Sequence, residues 1–439
     1  MGRFGMTNAA KRLAVATLGC KVNQYDTDAV VTQFLDAGYT MVDFREPADV
    51  YLINTCTVTN LGDRKSRQMI RRAHRLNPQA QVVVMGCLAQ TSPEEVAELE
   101  GVSLIVGTDG RERIVAELER LAEGTQKTLV EDIFQVKEFE DLPALGFSGR
   151  TRAALKIQDG CNQFCTYCRV PFARGRSRSR SEASVMQQVE MLVKQGYKEI
   201  VLTGIHLGLY GADLEPPTTL AAISQKVASY PGLLRLRISS VDPHELSDEL
   251  VELIKNNSVV CRHVHIPLQS GSDRVLERMR RNYSRQEYLD IVSRLRAEIP
   301  EIAITTDIMV GFPGETEEDF TVTMELAQDA AFSRIHVFQY SPREGTKAAR
   351  FPGQIRAEVK ESRSRRLIEL GQSLSEDFHR SLVGRTVHVL VEEEEEGTAV
   401  GHTDNYVKVS FPAPDGLVGQ IIPVKVLDSS IEGVWGERS

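Results

Sequence analysis

The sequence predicts an α/β fold in three parts: an N-terminal domain built on a parallel sheet (residues 10–142), a partial six-stranded βα barrel (147–380) and a small antiparallel β-barrel (381–438). Three observations predict it. Apolar runs alternate with helix-like segments from residue 12 to residue 107, the pattern of a parallel sheet. The alternation restarts after the stretch 142–150, and each new run exits into polar or glycine-rich residues, as strands of a βα barrel do. Beyond Val383, Gly384 and Arg385 the composition shifts to short β-like runs separated by turn residues.

In the N-terminal part, residues 12–18 read as a buried strand that ends at Gly19 and Cys20. Residues 26–37 are amphipathic. Residues 49–54 form the next strand and lead into Thr55 and Cys56. A basic helix is expected over 61–76, stopping before Asn77 and Pro78. Residues 81–85 are a third strand, followed by Gly86 and Cys87, and 103–107 a fourth. Cys20, Cys56 and Cys87 thus fall just past the C-terminal ends of three strands. In parallel sheets those ends share one edge, where ligands bind. Two readings stand for these cysteines: buried structural thiols, since free Cys packs as a small hydrophobe, or three thiolate ligands of one iron–sulfur cluster, which the small and polar flanking residues favour.

In the central part the six strands are expected at 153–157, 199–202, 234–238, 263–266, 302–306 and 334–338. Their exits carry Asp159, Gly160 and Cys161; Thr203 and Gly204; Ser239 and Ser240; Gln269, Ser270 and Gly271; Asp307; and Gln339, Tyr340 and Ser341. Thr203 and Gly204 let backbone approach a ligand closely. Ser239, Ser240, Gln269 and Asp307 are short polar groups suited to a ribose or an amino-acid moiety. His263 and His265 share one face of their strand. Residues 311–316 (Gly-Phe-Pro-Gly-Glu-Thr) are either a turn opening a helix or a ligand loop. Cys261 has no partner motif and reads as a structural thiol.

The first of these exits holds three cysteines, Cys161, Cys165 and Cys168, in the spacing C-x3-C-x2-C. Thiolates suit iron–sulfur clusters and zinc. Zinc sites normally want a fourth Cys or His and pair their cysteines as C-x2-C. Three ligands would instead leave one iron of a 4Fe–4S cluster open to a substrate or cofactor. Arg174, Arg176, Arg178 and Arg180 follow, alternating with Gly and Ser. They read either as a flexible solvated loop or as guanidinium groups that pair with phosphate oxygens of an RNA backbone.

A charged helix is expected over about 356–380. The five terminal runs lie at 386–391, 397–403, 405–411, 420–426 and 432–435, with Glu392 to Glu396 as a solvated turn. Barrels of this size bind RNA through loops and aromatic residues; His402, Tyr406, Lys408 and Phe411 are the candidates here. A purely structural add-on is the other reading.

Composition narrows the classes. The 439-residue chain carries a formal charge of -9, which argues against bulk nucleic-acid binding but leaves local basic patches, chiefly Arg64 to Arg75 and Arg169 to Arg180. No run of about 18 apolar residues exists, so no membrane span is expected. Seven cysteines, an odd number, without a signal peptide at the N-terminus lead to an expectation of a reducing cytosol rather than a disulfide framework.

The C-x3-C-x2-C loop with Tyr167 before its last cysteine resembles the radical S-adenosylmethionine (SAM) enzymes, whose core is a partial six-stranded barrel. Three motifs together resemble one family within them: Leu-Gly-Cys-Lys-Val-Asn-Gln at 18–24, Asp159 to Cys168 with Pro-Phe-Ala-Arg-Gly-Arg-Ser-Arg-Ser-Arg at 171–180, and Gly-His-Thr-Asp-Asn-Tyr at 401–406. These are similar to the methylthiotransferases, with a cluster-bearing N-terminal domain, a radical SAM core and a C-terminal TRAM barrel, and the resemblance covers nearly the whole chain. Lys21, Val22 and Asn23 after Cys20 are most similar to the branch acting on threonylcarbamoyladenosine in tRNA; Arg169 and Val170 depart from the apolar pair usual after the last cysteine.

The resemblance implies two 4Fe–4S clusters and S-adenosyl-L-methionine as cofactors. Cys161, Cys165 and Cys168 would hold the cluster that cleaves SAM. Cys20, Cys56 and Cys87 would hold an auxiliary cluster that supplies sulfur. One SAM would methylate that sulfur, and a second would give the radical that opens position 2 of the adenine next to the anticodon, at position 37. The partners implied are a tRNA substrate and an electron donor such as flavodoxin or ferredoxin. The chain ends without the membrane anchor of the eukaryotic counterpart, so a bacterial, cytoplasmic protein is expected. The alternatives are the branches acting on isopentenyladenosine in tRNA or on a ribosomal-protein aspartate, and a non-catalytic RNA-binding protein with structural metal sites.

Overall fold

The computed structural model describes residues 10–122, 124–144 and 151–439. The expected end of the first part, residue 142, is among the described residues, and the expected start of the second, residue 147, lies outside them. The chain forms two compact units. The first comprises the described residues up to 144 with Gly160–Asn162 and Arg169–Arg176. The second comprises 151–159, Gln163–Cys168 and Ser177–Ser439, so that the central barrel and the terminal barrel belong to one unit.

The first unit is a six-stranded, wholly parallel sheet of β1 (Arg12–Thr17), β2 (Thr40–Val42), β3 (Val50–Thr55), β4 (Gln81–Gly86), β5 (Val102–Val106) and β6 (Lys127–Leu129), in the order β2-β1-β3-β4-β5-β6. Every residue of β3 is buried, as is β4 after Gln81. Strands covered on both faces need continuous apolar runs rather than alternation, and Val82, Val83 and Val84 supply one. On one side Ile53, Val84 and Ile105 pack with Ile70 and Ala73 of the basic helix. Helix α1 (Lys21–Asp36) follows β1, α2 (Asn60–Leu76) follows β3 and α3 (Cys87–Thr91) follows β4. The Thr59 hydroxyl accepts from the Gly62 amide at 3.1 Å and starts α2.

In the second unit the strands are β7 (Arg152–Lys156), two-residue β8 (Gln158–Asp159) and β9 (Arg178–Ser179), β10 (Glu199–Thr203), β11 (Arg235–Ile238), β12 (His263–His265), β13 (Ala303–Val310) and β14 (Arg334–Gln339). Two parallel three-stranded sheets, β11-β10-β7 and β12-β13-β14, are joined by bridges Leu236 to Val260 and Ser240 to His265. All six expected barrel strands are present in an open arc. The helix Ala357–Arg380 then leads into a closed barrel of β15 (Thr386–Glu395), β16 (Thr398–His402), β17 (Lys408–Pro412), β18 (Ile421–Ser430) and β19 (Gly433–Arg438).

Buried arginines dock this barrel on β11. Arg235 donates to the carbonyls of His388 (2.6 Å) and His402 (2.8 Å). Arg237 donates to the Asp404 carbonyl at 2.8 Å and pairs with buried Glu199 at 2.7 Å.

Several expectations are corrected. Asp307 is not at a strand exit: β13 runs on to Val310, because Ile308, Met309 and Val310 continue the buried run. Glu392 to Glu395 are strand rather than turn; only Glu396 and Gly397, both at positive φ, make the turn. Residues 311–316 form a turn and helix start, with Thr316 and Asp319 as a capping box for the helix Glu317–Ala330. The Glu315 carboxylate accepts from the Phe312 amide at 2.9 Å and faces Arg363 at 3.3 Å, so it is spent on the turn.

Candidate functional site

In the first unit, three sequence-predicted cysteines converge. β1, β3 and β4 are adjacent, and their C-terminal ends deliver Cys20, Cys56 and Cys87 to one edge. Cys56 and Cys87 follow their strands directly, while Cys20 stands at the N-cap of α1. Asn23 lies among them, its Oδ1 4.0 Å from Cys20 Sγ and 3.9 Å from Cys87 Sγ. Its Nδ2 donates to the carbonyls of Leu18 (2.7 Å) and Thr55 (3.0 Å), which fixes the amide. Gly86, at φ +95°, has no room for a side chain: a Cβ would stand 2.2 Å from Asn54 Oδ1. That glycine turns β4 into Cys87.

Arg174 is buried in the same site. Its Nη2 donates to Asn23 Oδ1 at 2.6 Å and to Asp26 Oδ2 at 2.9 Å. Asp26 also pairs with buried Arg111, which pairs with Glu140 at 2.6 Å. Burial pushes the Cys87 thiol up to about 12, with Cys56 and Cys20 adding to the rise and Arg174 opposing it. Burial likewise raises Cys56, against the Val58 amide and Arg174. All three cysteines are free. A donor set of three soft sulfurs fits an iron–sulfur cluster.

The C-x3-C-x2-C loop is organised by other residues. The Cys161 amide donates to the Gly175 carbonyl at 3.0 Å in the first unit. In the second, the Cys168 amide donates to the Cys165 carbonyl at 3.0 Å. Arg281 Nη1 lies 3.5 Å from Cys165 Sγ and 3.0 Å from Gln163 Oε1. Asp242 accepts from Arg281 Nη2 and from Gln163 Nε2, both at 2.7 Å. His206 Nε2 is 2.5 Å from Glu245 Oε1 and 3.7 Å from Asp242 Oδ2. Tyr167 packs edge-on against Phe312, with ring centroids 6.5 Å apart. Three cysteines in the spacing C-x3-C-x2-C, none of them in a disulfide, fit a 4Fe–4S cluster with one open iron.

Sequence reasoning missed Arg281, Asp242, His206 and Glu245. They come from three separate stretches of the chain, and the legible signals were the Arg278 to Arg281 basic run and Asp242-Pro243-His244-Glu245, a capping box with Pro in its first turn. It also missed Asp26, Arg111 and Glu140.

The polar exits are placed as follows. Thr203 is buried at the end of β10, and its carbonyl accepts from the Ile157 amide at 3.0 Å. Gly204 packs on Gln158, whose Oε1 accepts from the Ile205 and His206 amides at 2.9 and 2.8 Å. Ser239 and Ser240 are half-buried at the end of β11. Gln269 is buried at φ +63°. Asp307 sits mid-strand, 3.4 Å from His265 Nε2. His263 and His265 share the Thr305 hydroxyl at 3.1 and 2.9 Å. Cys261 is a buried free thiol.

The expected RNA contacts fare unevenly. Arg174, Arg178 and Arg180 are buried and do not form a phosphate-facing surface. Arg178 and Ser179 pair with β8, Arg180 Nε donates to Ser184 Oγ at 2.9 Å, and Arg174 serves the thiol site. Arg176 is exposed. Tyr406 is not an open stacking platform: Arg237 stands 4.5 Å and Arg152 5.3 Å from its ring centroid, and His263 and His402 flank it. Lys408 is exposed.

Comparisons with known proteins agree with this architecture. Family models described as Radical SAM superfamily, Uncharacterized protein family UPF0004 and TRAM domain match residues 155–327, 12–107 and 380–430. A relative from Bacillus subtilis (strain 168), named threonylcarbamoyladenosine tRNA methylthiotransferase MtaB, is 45% identical over 421 residues, covering 94% of this chain and 93% of its own. A relative of the same name from Aquifex aeolicus is 40% identical, covering 91% and 96%. A tRNA-2-methylthio-N(6)-dimethylallyladenosine synthase from Moorella thermoacetica is 36% identical, covering 96% and 97%. Among solved structures, the radical SAM methyltransferase TsrM from Kitasatospora setae superposes with a TM-score of 0.56 at 18% identity, over 75% of this chain and 72% of that one, a likeness of fold.

Fold and thiol loop together define a radical SAM transferase, which uses SAM and a 4Fe–4S cluster. The chain belongs to the radical SAM methylthiotransferases that modify tRNA, and it is more similar to the MtaB relatives above than to the dimethylallyladenosine synthase. Among the described residues no helix is long and apolar enough to cross a membrane.

Proposed function

We propose that the protein transfers a methylthio group to position 2 of N6-threonylcarbamoyladenosine 37 in tRNA, using two SAM molecules and sulfur from an auxiliary cluster. The observation that carries this reading is the convergence of Cys20, Cys56 and Cys87 on adjacent strand ends beside Arg174. The 45% identity to a relative named for threonylcarbamoyladenosine supports the substrate branch.

Cys161, Cys165 and Cys168 would hold the SAM-cleaving cluster, and Cys20, Cys56 and Cys87 the auxiliary one. Bound clusters supply one-electron chemistry and inorganic sulfur. The chain's own residues orient and exclude. Arg281, fixed by Asp242 and Gln163, holds Cys165 and places a cation beside its sulfur. Arg174 does the same for the first triad, through Asn23 and Asp26. Thr203, Gly204, Ser239, Ser240 and Gln269 line the strand ends as SAM contacts, with Asp307 supporting them through His265. Of the residues expected at Arg174 to Arg180 and in the terminal barrel, Arg176 and Lys408 are exposed cations that would face RNA. A single-stranded anticodon loop presents the base edge without melting a helix, and tight orientation supplies much of the rate. The electron donor is of the flavodoxin or ferredoxin class, in a bacterial cytoplasm.

The test is anaerobic. Protein reconstituted with iron and sulfide is given SAM, reductant and tRNA bearing either threonylcarbamoyladenosine or isopentenyladenosine, and the digested nucleosides are weighed. A methylthio product from the first tRNA only is expected. Product from the second only would overturn the branch. SAM cleavage with no nucleoside product would point to a protein substrate.

A further inference from the structure

The exposed face of α2 has no part in the sites above. Arg64, Gln68, Arg71 and Arg75 follow one another at helical spacing, so they form one stripe. With His74 and Glu100 they line an open groove of about 540 Å³. Residues 60–76 hold six Lys and Arg against the single acid Asp63, in a chain whose net charge is -9. Arg67 is paired with Glu95. Among the described residues no ion pair holds Arg64, Lys65, Arg71, Arg72 or Arg75. A merely solvated helix face mixes both signs, because like charges four residues apart, such as Arg71 and Arg75, destabilise a helix.

The position of the stripe adds a second observation. α2 begins at the thiol site: a Cβ on Gly62 would stand 3.6 Å from Cys56 Sγ. From there the stripe runs about 16 Å away along the helix. A polyanion lying on it has one end at the helix terminus that neighbours Cys56, on the opposite side of α2 from Gly62.

We propose that this face of α2 docks the phosphate backbone of the substrate tRNA and leads the target nucleotide toward Cys20, Cys56 and Cys87. The proposal rests on tRNA being the substrate. Guanidinium groups without acidic partners suit phosphate oxygens, and such contacts release counterions, which makes binding steeply salt-dependent.

The test measures tRNA binding by the reconstituted full chain across a salt series, for wild type, Arg71→Glu/Arg75→Glu and a control, Lys194→Glu/Lys226→Glu, which makes the same charge change on other exposed helices. The α2 variant is expected to bind at least tenfold more weakly, and its log–log salt slope to shrink by about 1.4 to 1.8, two contacts at 0.7 to 0.9 each. The control should stay within twofold of wild type. SAM cleavage without tRNA should be unchanged in both variants, which shows that they are folded. An unchanged α2 variant, or a control that weakens equally, would overturn the docking face, the former result leaving an acidic protein as its partner. Failure of the wild type to bind tRNA would instead overturn the reading beneath it.

Discussion

Cys20, Cys56 and Cys87 come from three separate strand exits, whereas Cys161, Cys165 and Cys168 come from one loop. The first triad is positioned by sheet register: β1, β3 and β4 are neighbours, so their ends stand side by side whatever the connecting helices do. Its electrostatics are equally global, a buried chain from Arg174 through Asp26 and Arg111 to Glu140. The loop has short spacing and borrows its anchors, Arg281 and Asp242, from elsewhere in the barrel. A site held by a sheet should tolerate loss of one ligand without loss of fold. A site held by a loop depends on the few side chains that pin it.

The largest effects separate the triads. Cys165→Ala should lower SAM cleavage to background while leaving iron on the first triad. Cys87→Ala should leave cleavage in place and abolish methylthio product. Deoxyadenosine release and nucleoside mass spectrometry read both, and cleavage by Cys165→Ala would break the distinction.

Next is Arg237→Met. It removes the main partner of the buried Glu199 carboxylate and leaves only the looser Arg235 contact at 4.0 Å; burial works against that charge, and Arg237 holds it below its usual range. Such a loss costs about 3 to 5 kcal/mol. Thermal melting should show it, and because Arg237 also holds the Asp404 and Thr403 carbonyls, proteolysis of the terminal barrel should accelerate. Iron on the first triad should be unaffected.

Arg174→Gln is a smaller change, about 2 kcal/mol, because Arg111 still pairs with Asp26. It should lower iron retention at the first triad but not at the loop.

Smallest is Asp319→Asn, about 1 kcal/mol for a helix-capping carboxylate. Burial works against the Asp319 charge, yet Arg274, Ser272 and Thr316 hold the carboxyl well below its usual range. A depressed carboxylate stabilises the fold above its unfolded value, near 3.9, and that share is lost as pH falls further. The variant should therefore show a flatter loss of stability below about pH 4, followed by denaturant melts, with both iron sites intact.

Much of this was legible in the sequence. Buried parallel strands must be continuously apolar, so residues 49–54 and 81–85 stood out, and a strand exit ending in Cys could be counted three times. The terminal barrel showed through its turn residues. What stayed hidden depends on distant partners. Arg174, Arg178 and Arg180 look solvated in an Arg-Ser run, yet Asp26 and Asn23 hold Arg174, Ser184 accepts from Arg180, and β9 pairs Arg178 with β8, which makes their burial affordable. Tyr406 looks like a stacking ring until Arg237 and Arg152 are placed on it. Arg281 carries no motif, since a side chain that reaches a cysteine across a barrel leaves no mark in local spacing, and the capping box of Asp242 and Glu245 marks a helical turn rather than the hold on Arg281.

The most direct measurement is iron and sulfide content after anaerobic reconstitution of three proteins: wild type, Cys20→Ala/Cys56→Ala/Cys87→Ala, and Cys161→Ala/Cys165→Ala/Cys168→Ala. Two independent thiol sites predict that each triple variant binds half the iron of wild type. Equal iron in wild type and the first variant would contradict a cluster at Cys20, Cys56 and Cys87, and with it the source of the transferred sulfur.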